Sequence, residues 1–111
     1  MVSAVANLQE TLSALADPTR LAVVEQLSAG PQRAGELAAA TGQSAPAMSK
    51  HLRVLLRAGV VDDERSPEDA RVRMFRLRPE SVVGLRAWLD QLQEQWDEQL
   101  QSFKRHVEGG R

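Results

Sequence analysis

A short stretch in the middle of the chain combines hydrogen-bonding and cationic side chains with a leucine-rich pattern. Residues 44–61 have the sequence SAPAMSKHLRVLLRAGVV, in which Ser49, Lys50 and Arg53 accompany leucines at helical spacing. Lysine and arginine neutralise phosphate groups, and arginine can also form two hydrogen bonds with the O6 and N7 atoms of guanine. The leucines alone predict only a buried face. The helix by itself favours ordinary solvated charges for Lys50 and Arg53, and contact with a nucleic acid is the alternative that its wider context has to support.

Other kinds of chemistry find little support in the sequence. The 111 residues include no cysteine, which excludes disulfides, thiol catalysis and thiolate metal ligands. The two histidines, His51 and His106, lie far apart and lack acidic neighbours at ligand spacing, so neither a metal nor another cofactor is expected. No pair of nucleophile and base, phosphate-binding loop or pair of carboxylates in a cleft can be assembled. We therefore do not expect an enzyme.

Length, composition and charge favour a single soluble domain. A chain of 111 residues with 42% hydrophobic and 26% charged residues is expected to fold around one core. Since neither a signal-peptide pattern nor an apolar run of about 18 residues is present, we expect a cytoplasmic protein without a membrane partner. The net charge is -1, but residues 44–78 hold eight Lys or Arg against five Asp or Glu. The basic charge is therefore concentrated in the middle third of the chain.

Two short amphipathic helices are predicted first. Apolar residues three and four positions apart predict a helix over residues 3–15. Asp17 is a suitable N-cap for a second helix, and Pro18 suits its first position because proline lacks the backbone N–H that would be unpaired there. The residues expected on the buried side of the second helix are Leu21, Val24 and Leu27.

A helix-turn-helix is predicted next. A third helix over residues 34–41 ends at Gly42, and a fourth begins after Ser44, which is a suitable cap. Two helices joined by a three-residue turn that contains glycine have the spacing of a helix-turn-helix. Many helical hairpins share this spacing, so it does not by itself identify a nucleic-acid-binding motif. The fourth helix is expected to bury Met48, Leu52, Leu55 and Leu56.

A small β-hairpin and a long helix complete the prediction. Extended runs around a turn rich in Ser, Pro, Glu and Asp predict two strands, over residues 60–65 and 71–77, which we call the wing. The last helix, from Pro79 to near Val107, has an apolar stripe roughly 40 Å long, which exceeds what so small a domain can cover. We expect the same helix of a second copy to cover it, with the first helix completing the interface. The predicted interface residues are Leu8, Leu12, Leu85, Trp88, Leu89, Leu92, Trp96 and Leu100.

Four stretches of the chain share a known pattern: LADPTRLAVVEQL, GELAAATGQSAPAMSKHLRVLLRAGVV, RMFRLRPE and the tryptophan-containing last helix. Over about residues 8–107 they resemble the ArsR-type winged helix-turn-helix transcription regulators. The resemblance implies a mainly α-helical fold with a small β-hairpin, and homodimeric bacterial repressors that release operator DNA when an effector binds. It is to the branch without metal ligands, because alanines at 38–40 stand where metal sensors of the family carry a Cys-x-Cys pair.

The resemblance implies one winged helix-turn-helix domain over residues 1–107. This domain includes dimerisation helices at about 3–15 and 79–107. Residues 108–111 are expected to form a disordered tail because they end the chain with two glycines.

The pattern and the resemblance together predict a DNA-binding surface. Short side chains at the start of the fourth helix let its backbone approach base edges in the major groove, and Gln43 can pair with adenine. Acidic residues at 62–64, 68 and 69 crowd the wing, so its contact with DNA stays open. The predicted DNA-binding residues are Gln43, Ser44, Ala45, Ala47, Ser49, Lys50, His51 and Arg53 around the fourth helix, Arg20 and Arg33 at the starts of the second and third, and Arg71 and Arg73 in the wing.

The leading prediction is a sequence-specific DNA-binding transcription regulator, a repressor that binds an inverted-repeat operator as a homodimer. The alternative is a winged-helix module that binds another protein through its last helix and binds no DNA, which the acidic wing and the net charge favour. His51 is balanced between a phosphate donor and a structural histidine. Trp88 and Trp96 are assigned to the interface rather than to an effector pocket. The sequence names neither the operator nor an effector.

Overall fold

The computed structural model describes residues 4–109, with side chains from residue 8 onward, and has the predicted mainly α-helical architecture with a small β-hairpin. This prediction of the fold is confirmed. Within the described residues the elements are α1 (Ala4–Leu15), α2 (Pro18–Leu27), α3 (Ala34–Thr41), α4 (Ala45–Arg57), β1 (Val61–Arg65), β2 (Arg73–Leu77) and α5 (Pro79–Gly109).

Capping residues place the helix starts where the sequence predicts them. The Asp17 carboxylate accepts hydrogen bonds from the backbone N–H groups of Thr19 and Arg20, at 2.9 and 3.0 Å, and so begins α2. The Ser44 hydroxyl accepts one from the N–H of Ala47 at 3.2 Å and begins α4. Gly42 ends α3 with a φ of 69°, a left-handed conformation that glycine adopts at little cost. Gly42 and Ser44 thereby set the short turn between α3 and α4.

The core lies where α2, α3, α4 and the wing meet. Its fully buried side chains are Val23, Leu37, Met48, Leu55 and Val61, and Phe75 of β2 closes it with 3% of its surface exposed. The prediction for α2 is wrong at one position. Leu21 is 44% exposed and Val23 takes the buried place, because Val23 and Leu27 are four positions apart on one side of the helix.

A backbone bridge ties the wing to the segment before α3. The two strands pair in antiparallel register, with Val61 opposite Leu77. Gln32 adds an isolated bridge to Phe75 through two hydrogen bonds, from the Gln32 N–H to the Phe75 carbonyl at 3.0 Å and from the Phe75 N–H to the Gln32 carbonyl at 2.8 Å. Strand β2 begins at Arg73 rather than at residue 71, since the N–H of Arg71 is bonded to the Asp69 carboxylate in the turn. The bridge holds the wing against the start of α3.

The last helix extends away from this core. Helix α5 has 31 residues, none of them fully buried, and packs only against α1 within the described part of the chain. It continues to Gly109, two residues beyond the predicted end, because no helix-breaking residue precedes the glycines. The radius of gyration is 19.0 Å, whereas a compact chain of about 100 residues has roughly 13 Å. None of the helices within residues 4–109 is both long and apolar enough to cross a membrane.

The core position of α4 generates a first prediction. Replacement of Leu55, which is 0% exposed, by alanine should lower the free energy of unfolding by about 2–5 kcal/mol, because it removes buried methyl groups and leaves a cavity. The matched control is Val54→Ala at the next position of the same helix, where the side chain is 39% exposed and the loss should be much smaller. Urea denaturation at one protein concentration measures both, and equal losses would contradict the described orientation of α4.

Candidate nucleic-acid interface

One side of α4 presents cations to solvent. Lys50, Arg53 and Arg57 are three and four positions apart, on the side of the helix away from the buried Met48 and Leu52. All three cations are exposed, and none makes a hydrogen bond or ion pair with another described residue. We call them the cationic stripe. Because the core side of the helix is filled with apolar side chains, the stripe is free to meet an anionic partner.

The start of α4 is exposed and small. Ser44, Ala45 and Ser49 are exposed, and Ala47 is half-buried. Short side chains there leave the helix backbone accessible, which is the requirement for an approach to base edges. Gln43 differs, because its side chain is half-buried and its amide Nε2 lies 3.4 Å from the Thr19 hydroxyl oxygen. That contact ties the turn between α3 and α4 to helix α2.

Two predicted DNA-binding residues lie in a partly exposed polar cluster. Arg20 donates from Nε to the carbonyl oxygen of Ala14 at 2.6 Å, and its Nη1 lies 3.4 Å from Nδ1 of His51. The same His51 nitrogen is 3.8 Å from the Asp17 carboxylate. Because its guanidinium is bonded to the end of α1 and only partly exposed, Arg20 is less available to a phosphate than the cations of α4, and its contact with DNA stays a prediction. His51 is half-buried, which favours its structural interpretation.

The cluster also affects the acidity of Asp17. The backbone N–H of Arg20 is the main cause that holds the pKa of the Asp17 carboxyl below its ordinary value of 3.8, and the charge of a protonated His51 acts in the same direction. The folded chain therefore favours the charged Asp17 carboxylate over the protonated form.

The four remaining predicted arginines converge on one groove. A cavity of about 420 Å³ opens between the start of α3, helix α4 and the wing, and its rim carries Arg33, Arg53, Arg71 and Arg73. We call it the arginine groove. Arg33 reaches it because the preceding residue, Gln32, is bridged to Phe75 of the wing. Ser49 lines the same groove, so this cavity and the exposed start of α4 form a continuous surface.

Three of the five acidic residues of the wing, Asp62, Asp63 and Asp69, are partners of its arginines. Arg71 makes two hydrogen bonds of 3.1 Å to the Asp69 carboxylate, and Arg73 approaches Asp63 to 2.7 Å. The guanidinium of Arg73 also lies 5.1 Å from the centre of the Phe75 ring. The hydrogen bonds from Arg71 lower the pKa of Asp69, and the charge of Arg33 adds to the effect. Exposed ion pairs of this kind are weak, so these arginines can exchange a carboxylate for another anion.

Sequence reasoning missed two features of this surface. Arg57 is not among the predicted DNA-binding residues, although its position four residues after Arg53 already places it on the same side of α4. The bridge between Gln32 and Phe75 has no comparable signal, because the two residues between Pro31 and α3 are too few to form a periodic pattern. Among residues 4–109 no group of three or more His, Asp or Glu is arranged to hold a metal ion.

Comparisons with known proteins found related sequences and structures. A family model described as a helix-turn-helix domain matches residues 15–64. The HTH-type transcriptional regulator Rv2034 of Mycobacterium tuberculosis is 40% identical over 95 residues, which are 86% of this chain and 83% of that protein. The HTH-type transcriptional repressor SmtB of the same species is 42% identical over 65 residues, 59% of this chain and 48% of that protein. A crystal structure of the ArsR family transcriptional regulator RHA00566 is similar with a TM-score of 0.74 and 34% identity, over 87% of this chain and 97% of that one.

The Asp17 cluster generates a prediction about acid stability. Asp17→Asn keeps an oxygen that can cap α2 but removes the carboxylate. Because the folded-state pKa of Asp17 lies below the unfolded value, its charged form stabilises the folded chain above the unfolded pKa, and this stabilisation is lost as the pH falls through the folded pKa. We expect the wild type to have a larger free energy of unfolding than Asp17→Asn at neutral pH, and the difference to disappear in strong acid.

Urea denaturation across that pH range measures the difference. The control is Asp90→Asn on α5, where the carboxylate makes no hydrogen bond or ion pair with a described residue. A difference between wild type and Asp17→Asn that stays constant with pH would show that the carboxylate's charge does not contribute.

Proposed function

This chain belongs to the ArsR family of winged helix-turn-helix transcription regulators, and we propose that it represses transcription by binding an inverted-repeat operator as a homodimer. The family consists of regulators rather than enzymes. The observation that carries the proposal is the cationic stripe, in which Lys50, Arg53 and Arg57 face solvent without an ionic partner among the described residues. A duplex supplies the regularly spaced anions that such a stripe requires.

In the proposed complex α4 lies in the major groove. The small residues at its start, Ser44, Ala45, Ala47 and Ser49, let the helix approach base edges, and Lys50 and Arg53 contact phosphates or guanine. Gln43 stays a predicted base contact that would have to give up its contact with Thr19. His51 is a weaker candidate because it is half-buried beside Asp17.

The wing is proposed to contact the DNA backbone beside the major groove. Its Arg71 and Arg73 are held by Asp69 and Asp63, so a phosphate would replace these carboxylates. Together with Arg33 they supply positive charge along one edge of α4. Because the carboxylates remain next to the phosphate, we propose a contact with the flanking backbone rather than deep insertion of the wing.

A second copy of the chain is proposed to cover the apolar stripe of α5. Leu85, Trp88 and Leu92 at its start are half-buried, whereas its later part is open to solvent, with Trp96 56% and Leu100 57% exposed. Leu12 of α1, at 37% exposure, extends this apolar surface. The stripe repeats every 11 residues, as at Leu85, Trp96 and Val107. An 11-residue repeat matches the α-helix closely, so the stripe runs almost straight along a helix of roughly 46 Å and can meet a partner helix over its whole length.

Two-fold symmetry follows from this pairing. The two α4 helices would meet half-sites about one helical turn, ~34 Å, apart, and the operator would be an inverted repeat. Repression is the proposed output because a dimer that covers such a site beside a promoter excludes other proteins from it, and a relative of this chain is named as a repressor. Because the proposed target is chromosomal DNA, the proposed location of the protein is the cytoplasm.

The cationic stripe generates the test of DNA binding. Lys50→Ala and Arg53→Ala should weaken binding to the DNA upstream of the protein's own gene and lower the slope of log K against log salt by about 1 for each lost phosphate contact. If Arg53 pairs with a guanine, its loss should also cost about 1–3 kcal/mol of discrimination at one base pair. The control is Lys104→Ala on α5, which makes the same change in net charge. Fluorescence anisotropy over a range of salt concentrations measures each constant.

Two outcomes would contradict this part of the proposal. One is the absence of wild-type binding to every such DNA fragment at low salt. The other is an equal effect of Lys104→Ala and Lys50→Ala, because it would show that only net charge matters.

The apolar stripe generates the test of the dimer. Leu100→Glu places a carboxylate on the stripe in both copies of a symmetric interface and should shift the protein from dimer to monomer in sedimentation experiments. The control, Gln101→Glu, introduces the same charge at the next position, away from the stripe, and should remain dimeric. A wild-type protein that sediments as a monomer, or a dimer that tolerates Leu100→Glu, would exclude α5 as the interface.

A further inference from the structure

The arginine groove has a feature that contact with a sugar-phosphate backbone does not require. Its floor is apolar, formed by Leu52 and Phe75, each 3% exposed, together with Leu56 and Val72, which are half-buried and retain open surface. The volume of about 420 Å³ lies within the range of roughly 300–1,000 Å³ that is typical of small-molecule sites. A concave apolar floor below four guanidinium groups is complementary to a small molecule that has an apolar body and one negative charge.

We propose that the arginine groove binds a small amphipathic carboxylate, with an aromatic ring or short acyl chain on the floor and the carboxylate at the rim, and that this ligand displaces DNA. The regulatory half of this inference rests on the proposed function. The binding half does not, since it depends only on the groove.

The rim already shows the preference of its guanidinium groups for carboxylates. Asp69 binds Arg71 through two parallel hydrogen bonds, and Asp63 binds Arg73. Guanidinium and carboxylate match in geometry, and such charge-assisted pairs are the strong ones. Arg33 and Arg53 make no ion pair within 4.0 Å with a described residue, so they are the partners assigned to the carboxylate of the ligand.

The apolar part of the ligand is placed on Leu56 and Val72. These side chains lie between α4 and the wing and still have surface to bury, whereas Leu52 and Phe75 are almost fully covered. Burial of a ring there contributes affinity in proportion to the area removed from water. A carboxylate without an apolar body is therefore expected to bind more weakly than an aromatic one.

Competition with DNA follows from shared residues. Arg53 belongs to both the cationic stripe and the rim of the groove, and Ser49 belongs to both the groove and the exposed start of α4. An anion held by Arg53 neutralises a charge that DNA needs, and its ring occupies the space beside the helix. A ligand that binds the free protein and not the complex raises the apparent Kd for DNA by the factor 1 + [L]/Kd of the ligand.

The test uses 2-naphthoate as the probe and the full chain. Two-dimensional NMR spectra recorded during a titration should show saturable shifts at the backbone amides of Ala34, Ser49 and Val72, with one site per subunit. Arg33→Gln should weaken binding about tenfold, because one charge-assisted hydrogen bond is lost. The matched control Arg86→Gln, on α5, should leave the affinity unchanged. The neutral analogue 2-naphthalenemethanol should bind about tenfold more weakly than 2-naphthoate for the same reason.

Several results would overturn the site. One is a set of shifts confined to α5 or to α1. Another is the absence of a saturable shift at the groove up to about 10 mM probe, because a Kd above that concentration means a binding free energy too small for a specific site. The third is an equal affinity of the carboxylate and the alcohol. Benzoate and acetate as further probes test the apolar floor, since acetate should bind the most weakly.

A separate competition experiment tests regulation. Anisotropy with the operator fragment should show that 2-naphthoate weakens DNA binding by the factor that its own Kd sets, with no effect from the alcohol at the same concentration. If the probe fills the groove while DNA stays bound, the regulatory half of the inference is wrong. If the protein binds no DNA but the probe still fills the groove, the proposed function fails and the carboxylate site stands.

Discussion

The burial of one side of α4 is the constraint on which the rest of the surface depends. Met48 and Leu55 are completely inaccessible to solvent, and Leu52 is nearly so. Since successive residues of a helix are about 100° apart, burial of these three positions forces Lys50 and Arg53 outward. The rotation of α4 about its axis is set by the core, and no interaction of the cations themselves is needed to hold them at the surface. The exposure of the cationic stripe is thus a consequence of packing.

The wing depends on the same core through its backbone. Phe75 closes the core, and its hydrogen bonds with Gln32 place Arg33 beside the arginines of β2. Asp63 and Asp69, two of the acidic residues that crowd the wing, are paired with Arg73 and Arg71, so they neutralise these cations without removing them. Exposed ion pairs contribute little to stability, typically about 0–1 kcal/mol, and they can therefore be exchanged when a better anion arrives. The wing is consequently held in position by backbone bonds and Phe75, while its charges remain available.

How much the sequence predicts depends on whether a feature is local. Asp17, Gly42 and Ser44 each act within a few residues through the backbone, and the helix ends that they predict are found where expected. Long periodic patterns such as the stripe of α5 are also predicted well, because many positions repeat one phase. In the ten-residue α2 the predicted buried side is wrong at Leu21. Leu21 and Val23 lie on different sides of this short helix, and only the neighbouring elements decide which of them is buried.

Features that depend on distant residues could not be predicted in this way. Arg20 is bonded to Ala14 and lies next to His51, thirty-one positions later in the chain, so these contacts exist only once α1, α2 and α4 are assembled. The convergence of four arginines on one groove has the same origin, because it requires the bridge between Gln32 and Phe75. Residue types alone predict anion binding at these arginines, whereas their common location follows from tertiary structure.

The polar cluster at Asp17 also connects the proposed interface with the proposed DNA surface. Helix α1 packs against both α5 and α4, and Arg20 bonds the carbonyl end of α1 while it contacts His51 of α4. In a dimer joined through α5 and α1, the direction of α4 relative to the two-fold axis is therefore set through this short polar connection. The two cationic stripes can meet half-sites at one spacing only if that connection is rigid, and the buried Ala14 and Thr11 of α1 provide the close packing that rigidity requires.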